Sequence, residues 1–144
     1  PFRTEEDLAA LQKAISEETI NSICSDHQPH NKDAKQAPFS DTQHGVSTIE
    51  ILLPLLMELV DLKIIDINTA IAKVTINPAN TLGIEAGVIK KGSAADLCIF
   101  RRKEWLFDDK QILSSGKNNP FIGKTFNTQV EKTICNGKIV YEKR

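Results

Sequence analysis

Apolar residues along the first part of the chain recur at helical spacing. Leu8, Leu11 and Ile15 fall on one face of TEEDLAALQKAIS, the pattern of an amphipathic helix. Thr4 with Asp7 makes a capping-box pattern, and acidic residues fill the first turn, where the helix dipole favours them. TINSICS (residues 19–25) is short and rich in β-favouring residues. It predicts a buried strand that ends near Asp26. A polar stretch from His27 to Gly45 follows, with Pro29 and Pro38 inside it. A connection this long inside a compact domain is either functional or disordered.

The helical pattern returns in STIEILLPLLMELVD. Ser47 and Glu50 suggest a second capping box. Ile49, Leu52, Leu53, Leu56, Leu59 and Val60 give a wide apolar face. Pro54 either kinks this helix or starts its regular part. Asp66 is expected as the N-cap of a helix carrying Ile67, Ala70, Ile71 and Val74, with its end at Asn77-Pro78. A short helical turn through Leu82 would close on Gly83. Leucines and isoleucines on these helices are expected to be core.

Beyond Gly83 the period shortens. GVIKKGSAADLCIF and VEKTICNGKIVYEK carry β-branched alternation and glycine turns. Asn136-Gly137, between TIC and KIVY, is a hairpin signal. Asp96 is expected to make a turn contact, Trp105 and Phe107 to pack, and Asn118-Asn119-Pro120 to form a turn. The switch near residues 84–92 divides the chain into 1–83 and 84–144. No internal repeat is visible.

Composition narrows the function classes. A chain of 144 residues, 40% hydrophobic, suffices for one domain of ordinary size. With 18 basic and 19 acidic residues and no Lys/Arg stripe, nothing argues for a nucleic-acid partner. The longest apolar stretch, Ile49 to Val60, is broken by Glu50, Pro54 and Glu58, so no segment suits a membrane span. No signal-peptide pattern is seen. Cys24, Cys98 and Cys135 are odd in number, far apart and outside any CxxC spacing. They are expected to be buried free thiols of a cytoplasmic protein. The sequence opens on PFRTEEDL without a Met, which reads as a chain cut in the middle.

The candidate chemistry lies in CSDHQPH, residues 24–30. An Asp at the end of a strand can bind a metal or act as a general base. His30, four residues on, can donate a hydrogen bond to an anion. Asp-x3-His is also what a loop of solvated polar residues would show, and both readings stand at this level.

CSDHQPHNKDAKQAPFSDTQHGVSTIEILLPLL resembles the end of a dihydroorotase barrel, where the last strand delivers a Ser/Thr-Asp-His-x-Pro-His run. PFRTEEDLAAL is similar to the segment preceding it in that family. INPANTLGI, GVIKKGSAADLCIF, SSGKNNPFIGKTF and TICNGKIVYEKR resemble the family's C-terminal region, in the same order. Many metal-dependent amidohydrolases share that tail.

The resemblance implies an α/β fold: the C-terminal part of a (β/α)8 metallo-hydrolase barrel, with strands of a small β domain. It implies a cytoplasmic zinc hydrolase that interconverts N-carbamoyl-L-aspartate and L-dihydroorotate in pyrimidine synthesis. A metal-bridging hydroxide would attack the ring amide carbonyl. By resemblance, Asp26 binds a metal and shuttles the proton, His30 contacts the substrate carboxylate, and the backbone at His44-Gly45 holds the same carboxylate. His27 is structural. His44 stands where the family often has an apolar aromatic, Thr48 where a second Gly is common, and Gln28 where Ala is common.

The resemblance also implies, for the family's pair of zinc ions, a His-x-His run, a bridging Lys or Asp and two further histidines. The chain has three histidines and no His-x-His, whereas tight zinc sites use about three or four protein ligands. The resemblance therefore implies a C-terminal third, inactive alone, that packs against a missing N-terminal portion and forms homo-oligomers. Two alternatives accompany it. One is a non-catalytic dihydroorotase-like subunit that assembles with aspartate transcarbamoylase. The other is a different cyclic amidohydrolase, such as a hydantoinase or allantoinase.

Overall fold

The computed structural model describes residues 3–143. Pro1, Phe2 and Arg144, which the predicted halves and the resembling PF start include, lie outside the described residues. Four α-helices precede three strands: α1 (Glu5–Ser16), α2 (Leu52–Asp61), α3 (Ile67–Val74), α4 (Ile76–Leu82), β1 (Leu97–Leu106), β2 (Thr125–Cys135) and β3 (Lys138–Glu142).

The locally encoded ends form as expected. Thr4 and Asp7 build the capping box of α1. The Asp66 carboxylate accepts from the N–H groups of Asn68 and Thr69 and from the Thr69 hydroxyl, and caps α3. These bonds hold the Asp66 carboxyl below its ordinary pKa. Gly83 closes α4 in the left-handed conformation (φ 69°). Asn136 (φ 48°) and Gly137 (φ 77°) turn β2 into β3, the two positive angles of a type I′ hairpin. Pro54 sits in the first turn of α2, where its missing N–H costs nothing.

Other expectations change. Asn77-Pro78 does not end α3. That helix stops at Val74, and Pro78 occupies the first turn of α4. Residues 19–25 form no strand. A strand needs a neighbour to receive its N–H and C=O groups, and among the described residues the only ladder contact here is a parallel bridge between His27 and Val46. Helices hold the segment instead. Ile23 N–H donates to Lys73 O (2.9 Å), buried Lys73 Nζ reaches Ile20 O (2.5 Å), and Asn77 Nδ2 reaches Asn21 O (2.9 Å). On α1, Leu8 and Leu11 are exposed, because no described element covers them; Ile15 alone of the predicted face leans on the core. The three cysteines are free but exposed, not buried.

The sheet is antiparallel in the order β1-β2-β3, and α2 lies between it and α3. Ile51, Phe107, Ile112 and Phe126 form one buried cluster, with Trp105 packed on it. Trp105 Nε1 donates to Thr128 O (2.6 Å), so its polar end is satisfied. Leu56, Met57, Ile65 and Ala70 form the second cluster, which Phe100 of β1 joins. Lys124–Glu58 and Arg102–Asp61 ion pairs tie α2 to the sheet. Asp96 makes its turn contact by accepting from Asn136 N–H (2.7 Å).

Candidate functional site

The segment from Asp26 to Val46 leaves the helices and returns to the start of α2. Short 3-10 turns at Asp33–Lys35 and Phe39–Asp41 shape it. Asp26 takes a left-handed backbone (φ 44°), which Asp tolerates better than most residues. Its carboxylate accepts from Gln28 Nε2 (3.2 Å) on an exposed surface. The Gln28 side chain also lies against Gly45. A Cβ on Gly45 would come within 2.5 Å of Gln28 Cβ, and Gly45 has φ 96°, so glycine is required there on both counts. Gln28 thus connects Asp26 to Gly45.

His30 Nε2 bonds to His44 O (2.7 Å). The imidazole donates to this carbonyl, which fixes the loop's two ends against each other. His44 itself is exposed, and it enters the arrangement through its carbonyl. Lys35 Nζ donates to the carbonyls of Gln43 and Gly45. A cavity of about 240 Å³ beside His30 is lined by Asn31, Lys32, Lys35, Lys117 and Asn118. Three lysines give it a positive character suited to an anion.

His27 faces different partners. Its Nδ1 accepts from the N–H groups of Thr48 (3.0 Å) and Ile49 (3.2 Å). That fixes the proton on Nε2, which meets Ser114 Oγ at 3.2 Å. His27 therefore caps the turn leading into α2, the task the sequence assigned to Ser47 and Glu50. Among the described residues Ser47 Oγ is buried without a hydrogen-bond partner, and Glu50 turns to Leu113 and Ser114 instead. Burial pushes the Glu50 carboxyl up, but the hydrogen bonds from the Ser114 hydroxyl and N–H outweigh it, so its pKa lies below the ordinary value. Ser114 gives its hydroxyl proton to Glu50, so the Ser-His-Glu grouping is a brace and not a nucleophile pair. Thr48, buried, bonds Ser25 O through its hydroxyl (2.8 Å), a link that Gly would lack.

Sequence reasoning missed Gln28 as a contact of Asp26 and missed Asn118 altogether. The run Asn118-Asn119-Pro120 was expected only to turn the chain. Asn118 Oδ1 instead accepts from His30 N–H, 88 positions away (2.7 Å), and its Nδ2 donates to Gln28 O (3.1 Å) and Gly45 O (3.2 Å). Asn119, buried, donates to Ser47 O. The one sequence signal for Asn118 was Gly116, two residues before it, in an otherwise polar run.

A metal ion would find limited support here. His27 spends both ring nitrogens on the brace and His30 spends Nε2 on His44. Among the described residues no group of three or more His, Cys, Asp or Glu side chains is placed to hold an ion. Asp26 is exposed beside Gln28, and the described residues do not form a metal site by themselves.

The chain belongs to the amidohydrolase family: the profile described as "Amidohydrolase family" matches residues 2–140. It is 35% identical to a dihydroorotase of Geotalea daltonii, over 99% of this chain and 34% of that protein. It is 39% identical to a dihydroorotase of Clostridium acetobutylicum, again over 99% of this chain and 34% of the relative. A "dihydroorotase-like protein" of Pseudomonas putida is 40% identical over 98% of this chain and 33% of its own length. The chain thus spans about a third of these relatives.

Among solved structures, a D-hydantoinase superposes with TM-score 0.88 at 19% identity, covering 99% of this chain and 33% of the other. Dihydropyrimidinase from Brevibacillus agri does so with TM-score 0.89 at 23% identity, over 99% and 32%. At these identities the likeness is one of fold. It agrees with the expected α/β class, a C-terminal part of the amidohydrolase fold. No described helix is long and apolar enough to cross a membrane.

Proposed function

We propose that the chain is the C-terminal part of a dihydroorotase, which interconverts N-carbamoyl-L-aspartate and L-dihydroorotate in the cytoplasm. What carries this is the match of proteins named dihydroorotase over 99% of the chain. Residues 1–83 then close a (β/α)8 barrel, and 84–144 belong to a small β domain completed by other strands. Homo-oligomers, or assembly with aspartate transcarbamoylase, go with the same reading.

Asp26 takes the proton of the attacking water and delivers it to the ring nitrogen as the amide bond breaks. His30 and the Gly45 backbone hold the substrate carboxylate, with the lysines beside His30 favouring the anion. Zinc, when bound, supplies Lewis acidity and lowers the pKa of water, with Asp26 as one ligand and the others from outside the described residues.

The test is turnover of dihydroorotate by the full-length protein, alongside hydantoin and allantoin. Selective hydrolysis of dihydroorotate supports the proposal; preference for hydantoin or allantoin replaces it with another cyclic amidohydrolase. The 144-residue chain with added zinc is expected to be inactive, and turnover by it would sink the view that most ligands lie elsewhere.

One observation favours a second reading. Gln28 lies on Asp26 and against Gly45, where the family often has Ala, and the Pseudomonas putida relative is named only dihydroorotase-like. In this reading the parent is a non-catalytic subunit that assembles with aspartate transcarbamoylase. Absence of a His-x-His run upstream, with no turnover, would decide for it.

A further inference from the structure

We propose that Asn118 is a positioning residue for the carboxylate-holding end of the site, so that the segment joining β1 and β2 sets substrate affinity. The inference rests on the dihydroorotase reading for the identity of the anion. Its geometry stands on three hydrogen bonds and one close approach.

The Asn118 amide engages the loop from both sides. Oδ1 accepts from His30 N–H, while Nδ2 donates to the carbonyls of Gln28 and Gly45. The orientation of the amide is determined, because the flipped form would set an NH₂ group against an N–H and an oxygen against two carbonyls. One side chain therefore fixes the backbone at His30 and at Gly45, the two places assigned to the carboxylate. Asn118 O also accepts from Ser47 N–H (3.2 Å), where the loop enters the turn before α2.

Gly116 makes the clamp close enough to work. A Cβ there would lie 2.5 Å from His30 O and 2.6 Å from the Pro29 carbonyl carbon. These are backbone atoms and cannot swing aside. The Ser114–Asn119 segment is thus a template pressed against the His30 backbone. Asn118 itself touches neither Asp26 nor any proposed reacting atom, so its effect falls on binding more than on the chemical step.

The experiment uses the full-length protein with dihydroorotate as probe. Asn118→Ala, Asn118→Asp and Gly116→Ala are compared with wild type for KM, kcat and thermal midpoint, and for amide exchange at His30. Asn118→Ala is expected to raise KM about ten-fold or more while kcat changes less than KM does, because misplaced binding groups lose affinity before chemistry. Asn118→Asp, though isosteric, should be at least as impaired, since it sets a carboxylate against two carbonyls. Gly116→Ala should reproduce the KM effect by pushing the segment off the His30 backbone, with every hydrogen-bonding group still present. Faster exchange at His30 in the Asn118 variants, with the thermal midpoint above assay temperature, supports the clamp. Unchanged KM in folded Asn118→Ala overturns the proposal, as does equal loss in KM and kcat tracking only the loss of folded protein. Wild-type protein without turnover refutes the functional reading, and exchange at His30 then decides the clamp separately: unchanged exchange overturns it.

Discussion

Glu50 Oε1 accepts three hydrogen bonds from one short segment: the Ser114 hydroxyl at 2.6 Å, the Ser114 N–H at 2.9 Å and the Leu113 N–H at 3.1 Å. The residues are 64 positions apart, and the contact joins the start of α2 to the segment that carries Gly116 and Asn118. His27 completes the brace through Ser114 Oγ.

The Glu50 carboxyl has a lowered pKa in the folded chain. A depressed carboxylate contributes stability that is present above its unfolded pKa and lost as pH falls through the folded one. Folding stability should therefore drop as pH falls below the ordinary glutamate range, and Glu50→Gln should flatten that drop. Urea unfolding between pH 3 and pH 7, on the order of those limits, measures it. An unchanged slope in Glu50→Gln would show that the brace does not depend on charge.

Gly45→Ala should destabilise by on the order of 1–3 kcal/mol, because Ala must adopt φ 96° and meet the Gln28 side chain. Gln28→Gly in the same protein, which removes the Cβ that a Gly45 Cβ would meet, should recover the steric part and leave the backbone part. A double-mutant cycle by chemical denaturation separates the two. If Gln28→Gly restores nothing, the contact between them is not the source of the cost.

Asp26→Asn keeps a residue suited to the left-handed backbone at φ 44°, so the fold should be little changed. On the dihydroorotase proposal, the variant in the full-length protein should lose dihydroorotate turnover by about 10²–10⁴-fold, the usual range for a general acid–base group. Circular dichroism checks folding while steady-state kinetics reads the loss. Turnover near wild type would remove Asp26 from the chemistry.

Phe107 is fully buried and meets Phe126 with ring centroids 6.1 Å apart and Trp105 at 5.7 Å. Phe107→Ala should cost about 3–5 kcal/mol, because the sheet and α2 share this cluster. Thermal unfolding should show α2 and the strands losing structure together. Separate transitions would mean that the sheet folds independently of the helices.

What the sequence alone determined was whatever closes within a few residues. The Thr4–Asp7 box, the Asp66 cap, the Gly83 helix end and the Asn136-Gly137 turn each have donor, acceptor and backbone angle in one short stretch. The Asp-His-x-Pro-His run was also legible, since order and residue type carry it, and the family match agrees with it. Tertiary structure decided the rest. Residues 19–25 have strand propensity, but among the described residues their backbone groups meet α3, α4 and Thr48, and no neighbouring strand. Ser47 and Glu50 spell a cap, yet His27 takes the turn's N–H groups because the chain's return brings it there, which frees Glu50 for Ser114. Asn118 spells a turn and becomes the clamp of the loop. A hydrogen bond across 88 positions leaves no local periodicity, so only the packing of the sheet against α2 could bring its partners within reach.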